Sequence, residues 1–196
     1  MVISGNLGPR GDGYVADQHM TSDEVAEYHA WQIRSLVDAG VDLITALTLP
    51  ETEEAIGIVQ ASQAADIPAV ISFTVETNGH LPSGQSLRSA IETVDEVTDK
   101  GPAYYMVDCA HPTHFEHVLN DDGAWQQRIR GIRANASCKS HAELDESETL
   151  DDGNPEEFGQ QYRLLQNLLP DLTVLGGCCG TDHRHVEAIA RACHGL

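Results

Sequence analysis

The chain has 196 residues, 41% of them apolar, and carries 31 acidic against 11 basic side chains, a formal net charge of −20. That charge repels nucleic acid and anionic lipid, so neither is expected as a partner. No stretch approaches the ~20 consecutive apolar residues of a membrane helix, and the start Met1-Val-Ile-Ser-Gly-Asn6 has neither a basic segment nor a long apolar one. The expectation is a cytoplasmic protein of one domain, residues 1–196, long enough to bury a real core. Lys100 and Lys139 are the only lysines, a surface that fits a high-salt cytoplasm or simply an acidic protein.

Short runs rich in Val, Ile and Leu alternate with longer segments of helical period, the signature of repeated βα units around a parallel sheet. In chain order, strands are expected at 2–4, 41–47, 69–74, 103–108, 129–134 and 172–176, and helices at 22–39, 52–65, 87–99, 113–119, 155–169 and 183–193. After the first strand, Gly5-x-x-Gly8-Pro9-x-Gly11-x-Gly13 reads as a tight loop, since its spacing and proline do not suit a dinucleotide phosphate loop. Thr21-x-x-Glu24 and Thr113-x-x-Glu116 fit the capping box. Asn154-Pro155-Glu156-Glu157 supplies an N-cap, a proline at the first helical position and acid in the first turn. The acidic segment 137–157 is expected as a solvated loop, or as a lid over a site.

Six strands and six helices in alternation predict an α/β fold of the (β/α)8 TIM-barrel type with six of the eight βα units, the first two absent, because closure requires eight and typically ~250 residues. An open doubly wound sheet is the structural rival. It needs no missing units, but its glycine-rich loop is lacking.

The chemistry concentrates at Val174-Leu-Gly-Gly-Cys-Cys-Gly-Thr181. Adjacent strand residues point to opposite faces, but a backbone freed by glycine lets Cys178 and Cys179 reach one soft cation. Cys109, after the apolar run 103–107, is the candidate third thiolate, and Cys138 and Cys193 lack metal-like spacing. Three thiolates on Zn2+ leave one tetrahedral position open for a substrate thiol, the pattern of catalytic zinc. Buried packing of the cysteines, or an unrelated α/β enzyme with a reactive cysteine pair, are the alternatives. His111 is a substrate contact or a helix N-cap beside Pro112, and His183 and His185 are expected as exposed polar residues of the last helix's first turn.

The Gly176-Gly-Cys-Cys-Gly-Thr181 and Asp108-Cys109-x-x-Pro112 segments resemble the zinc motifs of the homocysteine S-methyltransferase family. So do the Gly5–Gly11 loop and the Ile71–Val75 strand followed by Asn78-Gly79-x-Leu81-x-x-Gly84, and the order of these pieces. The resemblance implies a zinc-dependent barrel enzyme that moves a methyl group from a sulfonium, betaine or folate donor to the sulfur of homocysteine, giving methionine. Zinc would sit on Cys109, Cys178 and Cys179, with Asp108, Gly177 and His111 toward the substrate. Three departures stand out. Leu47 occupies the place of a family Glu that holds the homocysteine amino group, Asp108 that of an Asn, and the family's Asp-Gly-Gly strand is absent. These departures point to an alternative, a truncated or split zinc-binding relative that is inactive alone and works as a homo-oligomer or with a complementing chain.

Overall fold

The computed structural model describes residues 1–17, 20–120 and 123–194. Six strands, β1 (Ser4–Leu7), β2 (Leu43–Leu49), β3 (Ala69–Phe73), β4 (Pro102–Asp108), β5 (Ile129–Ala134) and β6 (Val174–Gly177), follow one another in sheet order as in the chain. The helices are α1 (Ser22–Asp38), α2 (Thr52–Ala64), α3 (Leu87–Val97), α4 (Pro112–Phe115), α5 (His141–Asp145), α6 (Pro155–Leu168) and α7 (His183–His194). Each strand is followed by a helix before its parallel neighbour, because a parallel pair needs a crossover rather than a hairpin. Among the described residues no helix is long and apolar enough to cross a membrane. The chain divides into two compact units, Met1–Thr74 with Leu81–Tyr105, and Val75–His80 with Met106–Leu196.

In the first unit β1 pairs with β2 from Ser4↔Leu43 to Leu7↔Ala46, and β2 with β3. The first strand lies later than the expected 2–4. Val2 and Ile3 are exposed, whereas Gly5 lets β1 sit close to α1, where an added Cβ would lie 3.0 Å from Leu36. The predicted capping box forms at Thr21, and α1 buries Val25, His29 and Ile33, one buried stripe at helical spacing. α1 meets α2 at Gly57, where a Cβ would come within 2.5 Å of Val25. His29 and Glu54, both buried, pair at 3.0 Å, and Glu54 also accepts the backbone N–H of Arg10 at 2.6 Å. This buried pair ties the glycine loop after β1 to both helices. Ile44, Ala46, Ile58, Ile71 and Phe73 fill the core, and Phe73 stacks on Tyr105 at 6.1 Å.

In the second unit β5 pairs with β6 from Gly131↔Val174 to Ala134↔Gly177. Asn154 caps α6 as predicted, accepting from the Glu156 and Glu157 amides. The Thr113 capping box does not form. Pro112 starts α4 one residue earlier, so the cap falls to His111, whose ring accepts from the Thr113 N–H. The helix expected at 113–119 is four residues of α4 followed by a 3-10 turn, Glu116–Asn120. The acidic segment contains α5, capped by a Ser140–Glu143 box. His183 is exposed, but His185 is fully buried against Phe158 and bonds the Asp152 carbonyl at 2.8 Å, so an imidazole expected at the surface instead ties the acidic loop to α7.

From α6, the buried Tyr162 hydroxyl accepts the Ala134 N–H at 2.9 Å and donates to the Gly176 carbonyl. Burial raises its pKa, so the phenol stays neutral and can donate. Tyr162→Phe strands the buried Ala134 N–H and should cost about 1–3 kcal/mol in urea unfolding; an unchanged midpoint would remove the bridge from the account.

Asp182 caps α7, accepting from the Arg184 N–H at 2.9 Å and pairing with the Arg184 guanidinium at 2.9 Å. Desolvation opposes ionisation there, but these bonds outweigh it and hold the carboxyl at about 2, below its ordinary 3.8. A depressed carboxylate stabilises the fold above its unfolded pKa and loses that contribution as pH falls through the folded value. Acid titration should therefore destabilise the wild type more steeply than Asp182→Asn between pH 3.8 and about 2. Parallel curves would show that Asp182 contributes nothing.

Candidate metal centre

The apolar strand β4 leads into buried Asp108 and Cys109. Cys109 has φ 51°, a left-handed conformation uncommon outside glycine, which turns the chain off the strand line. Its N–H still bonds the Arg133 carbonyl at 3.1 Å. β6 ends at Gly177, and the next N–H, that of Cys178, bonds the Ala134 carbonyl at 2.8 Å. The backbone then turns. Thr181 donates its N–H and hydroxyl to the Cys178 carbonyl at 3.2 and 2.8 Å, and Gly180 closes the turn at φ 78°. Gly177 lies so close to Thr181 that a Cβ there would overlap that side chain.

These turns bring the Sγ atoms of Cys109, Cys178 and Cys179 within 4.8 Å of one another. Cys109 and Cys179 are 3.8 Å apart, and Cys109 and Cys178 are paired as a disulfide with Cα atoms at 5.5 Å. A disulfide and a metal shared by all three are alternative uses of the same sulfurs, and their proximity serves both. Cys109 is buried, Cys178 half-buried and Cys179 exposed, so the cluster opens to solvent on one side. Three soft donors from two segments suit a soft or borderline cation such as zinc. Among the described residues this is the only group of three or more potential ligands; Cys138 and Cys193 lie outside it.

Asn135, a residue that sequence reasoning missed, is 3% exposed at the end of β5 and bonds the backbones of both Cys109 and Cys179. Its only signal in the sequence is a lone carboxamide just after the expected strand 129–134. His111 is buried, and its Nδ1 faces the Thr113 hydroxyl at 2.8 Å. Burial first, then the neighbouring His114, pushes its imidazole down to about 4 against the pull of Asp151. It is neutral at pH 7.

In the first unit, Asn6, Tyr14, Gln32, Leu47 and Thr48 help line a cavity of about 490 Å³ at the carboxyl ends of β1 and β2. None of its lining residues is charged. The β2–β3 register shifts between Ala46 and Leu49, and Thr48 has φ 59°. A left-handed β-branched residue at a bulge is strained, and such strain concentrates at ligand sites.

A family model described as Homocysteine S-methyltransferase matches residues 1–193. Homocysteine S-methyltransferase 1 of Arabidopsis thaliana is 25% identical over 97% of this chain and 60% of its own length. The Brassica oleracea var. italica protein of the same name is 24% identical over the same shares. The solved structure of the homocysteine methyltransferase MmuM from Escherichia coli in its metallated form superposes with a TM-score of 0.72 at 19% identity, covering 97% of this chain and 61% of that one. The chain thus spans about 60% of the length of these relatives. Its βα units are six of those of the (β/α)8 TIM-barrel type. With the match running through both strand-end cysteine motifs, the chain belongs to the homocysteine S-methyltransferase family.

Proposed function

We propose that this chain carries a zinc-dependent S-methyltransferase centre in which the thiol of homocysteine takes a methyl group to become methionine. The convergence of Cys109, Cys178 and Cys179 within 4.8 Å carries the proposal, and the metallated form of the related MmuM supports it. Cys109, Cys178 and Cys179, reduced, would hold the ion as thiolates. When bound, zinc supplies Lewis acidity that favours the thiolate of a substrate thiol at neutral pH.

The remaining work belongs to the chain's own groups. Exposed Cys179 marks the side from which substrate enters. Asp108, buried next to Cys109, places a carboxyl group where the substrate ammonium could bind. His111, neutral at pH 7, adds no cation to compete for that carboxyl. Gly177 keeps the backbone close to the Thr181 turn that presents both neighbouring cysteines. In the transfer, a sulfur lone pair forms the new S–C bond as the donor–methyl bond breaks, its electrons leave with the donor, and the thiol proton passes to solvent.

Protein purified under reducing conditions should contain about one zinc per chain, the stoichiometry of a single catalytic site. Cys109→Ser, Cys178→Ser and Cys179→Ser should each lower that content; a well-folded, reduced, metal-free wild type would overturn the metal centre.

Catalysis is a separate question. Incubation of zinc-loaded protein with homocysteine and S-methylmethionine, S-adenosylmethionine or betaine should yield methionine. The alternative, a zinc-binding relative inactive without a second copy or a complementing chain, is favoured by the edge of β1, which pairs with β2 alone among the described residues and is preceded by exposed Val2 and Ile3. A zinc-loaded chain that makes no methionine by itself, but does so when supplemented with the amino-terminal portion of a longer relative, would favour the alternative.

A further inference from the structure

We propose that Asn135 is the positioning residue of the cysteine centre, setting the distance between its two ligand-bearing segments. The proposal rests on the metal-binding role of Cys109, Cys178 and Cys179.

The two segments leave strands on either side of β5, and each must abandon the ladder to bring its sulfur over the end of that strand. Most of the freed backbone groups still find partners on β5 and its extension. The Cys109 N–H bonds Arg133 O, the Cys178 N–H bonds Ala134 O, the Asn135 N–H bonds Ala110 O at 3.1 Å, and the Ala136 N–H bonds Cys179 O at 3.0 Å. Two further groups of these turns are the carbonyl of Cys109 and the N–H of Cys179. The Asn135 side chain takes both, donating from Nδ2 to Cys109 O at 2.9 Å and accepting at Oδ1 from Cys179 N–H at 3.1 Å.

A carboxamide suits this place for physical reasons. It offers a donor and an acceptor on one rigid plane, the same pair that a peptide group offers. Aspartate keeps the acceptor, loses the donor and adds negative charge beside three thiolates. Leucine has a similar volume and neither polar group, and glutamine is longer by a methylene. Because the bonded atoms belong to two ligand residues themselves, loss of the bridge should alter how the sulfurs are spaced. Groups that orient metal ligands in this way typically contribute 10–100-fold in metal affinity.

The test is titration of the reduced, metal-free full chain with Co2+, read by the thiolate-to-cobalt charge-transfer band and the visible spectrum of a tetrahedral site. Asn135→Leu removes both bonds; Asn135→Asp is isosteric and guards against a Leu variant that does not fold. Leu165→Ala, a buried α6 position outside the cysteine loops, is the control for general destabilisation. We expect wild type and Leu165→Ala to bind Co2+ with affinities within about twofold, and folded Asn135 variants to bind about 10–100-fold more weakly with an altered visible spectrum. Asn135 variants that match the wild type, or a Leu165→Ala variant that loses as much affinity at equal thermal stability, would overturn the positioning role. A wild type with no thiolate–cobalt band would instead overturn the metal centre, leaving Asn135 nothing to position.

Discussion

Three sulfurs must meet above a strand that carries none of them. The cysteines follow β4 and β6, with β5 between, so their strand lines are roughly 10 Å apart at the usual spacing. Side chains on regular strands stand perpendicular to the sheet and alternate faces, so ideal geometry cannot converge them or aim Cys178 and Cys179 to one place. Convergence requires the backbone to break from the strand at both ends. It does so through the left-handed Cys109 and through the Gly177–Thr181 turn.

Each break releases peptide groups that would be costly to leave unpaired in a partly buried site. Residues 133–136 absorb this cost by bonding to both cysteine segments, and Tyr162 closes the neighbouring gap between Ala134 and Gly176. The same closeness creates an electrostatic demand. Three thiolates within 4.8 Å of one another repel unless a counter-charge sits among them. A cation that binds all three relieves the repulsion, and a disulfide between two of them removes it by another route.

Much of this was legible in the sequence because it rests on local pattern. The Val/Ile-rich run at 69–74 marks a strand almost to the residue, since buried parallel strands are apolar on both faces, and at 129–134 the Ile129, Ile132 and Ala134 positions mark the buried side of β5. The Cys178-Cys179 pair among glycines signals a turn with two ligands. Elsewhere the deciding contact is remote. The first strand is set by pairing with Leu43–Ala46 and by the fit of Gly5 against Leu36, so the apolar Val2 and Ile3 of the expected strand 2–4 mislead. His185 sits where a helix's first turn is normally exposed, and Phe158 of α6 together with the Asp152 carbonyl of the acidic loop buries it. Asn135 is one of six asparagines until both cysteine loops lie beside it.

The bonds that shape the cysteine cluster run between residues 109 and 181, all in the second compact unit. The cavity beside Leu47 and the strained Thr48 is built from the first unit's own strands and its glycine loop, braced by the buried His29–Glu54 pair. Gathering the sulfurs therefore makes few demands on the first unit, whereas the proposed methyl transfer would also need surfaces to hold and orient two substrates. An uncharged cavity can hold a ligand by shape and hydrogen bonds but gives an ammonium no ion pair. The contacts that gather the sulfurs thus lie within one unit of a chain that spans about 60% of the length of its relatives, so the proposed chelation and the proposed catalysis place separable demands on the fold.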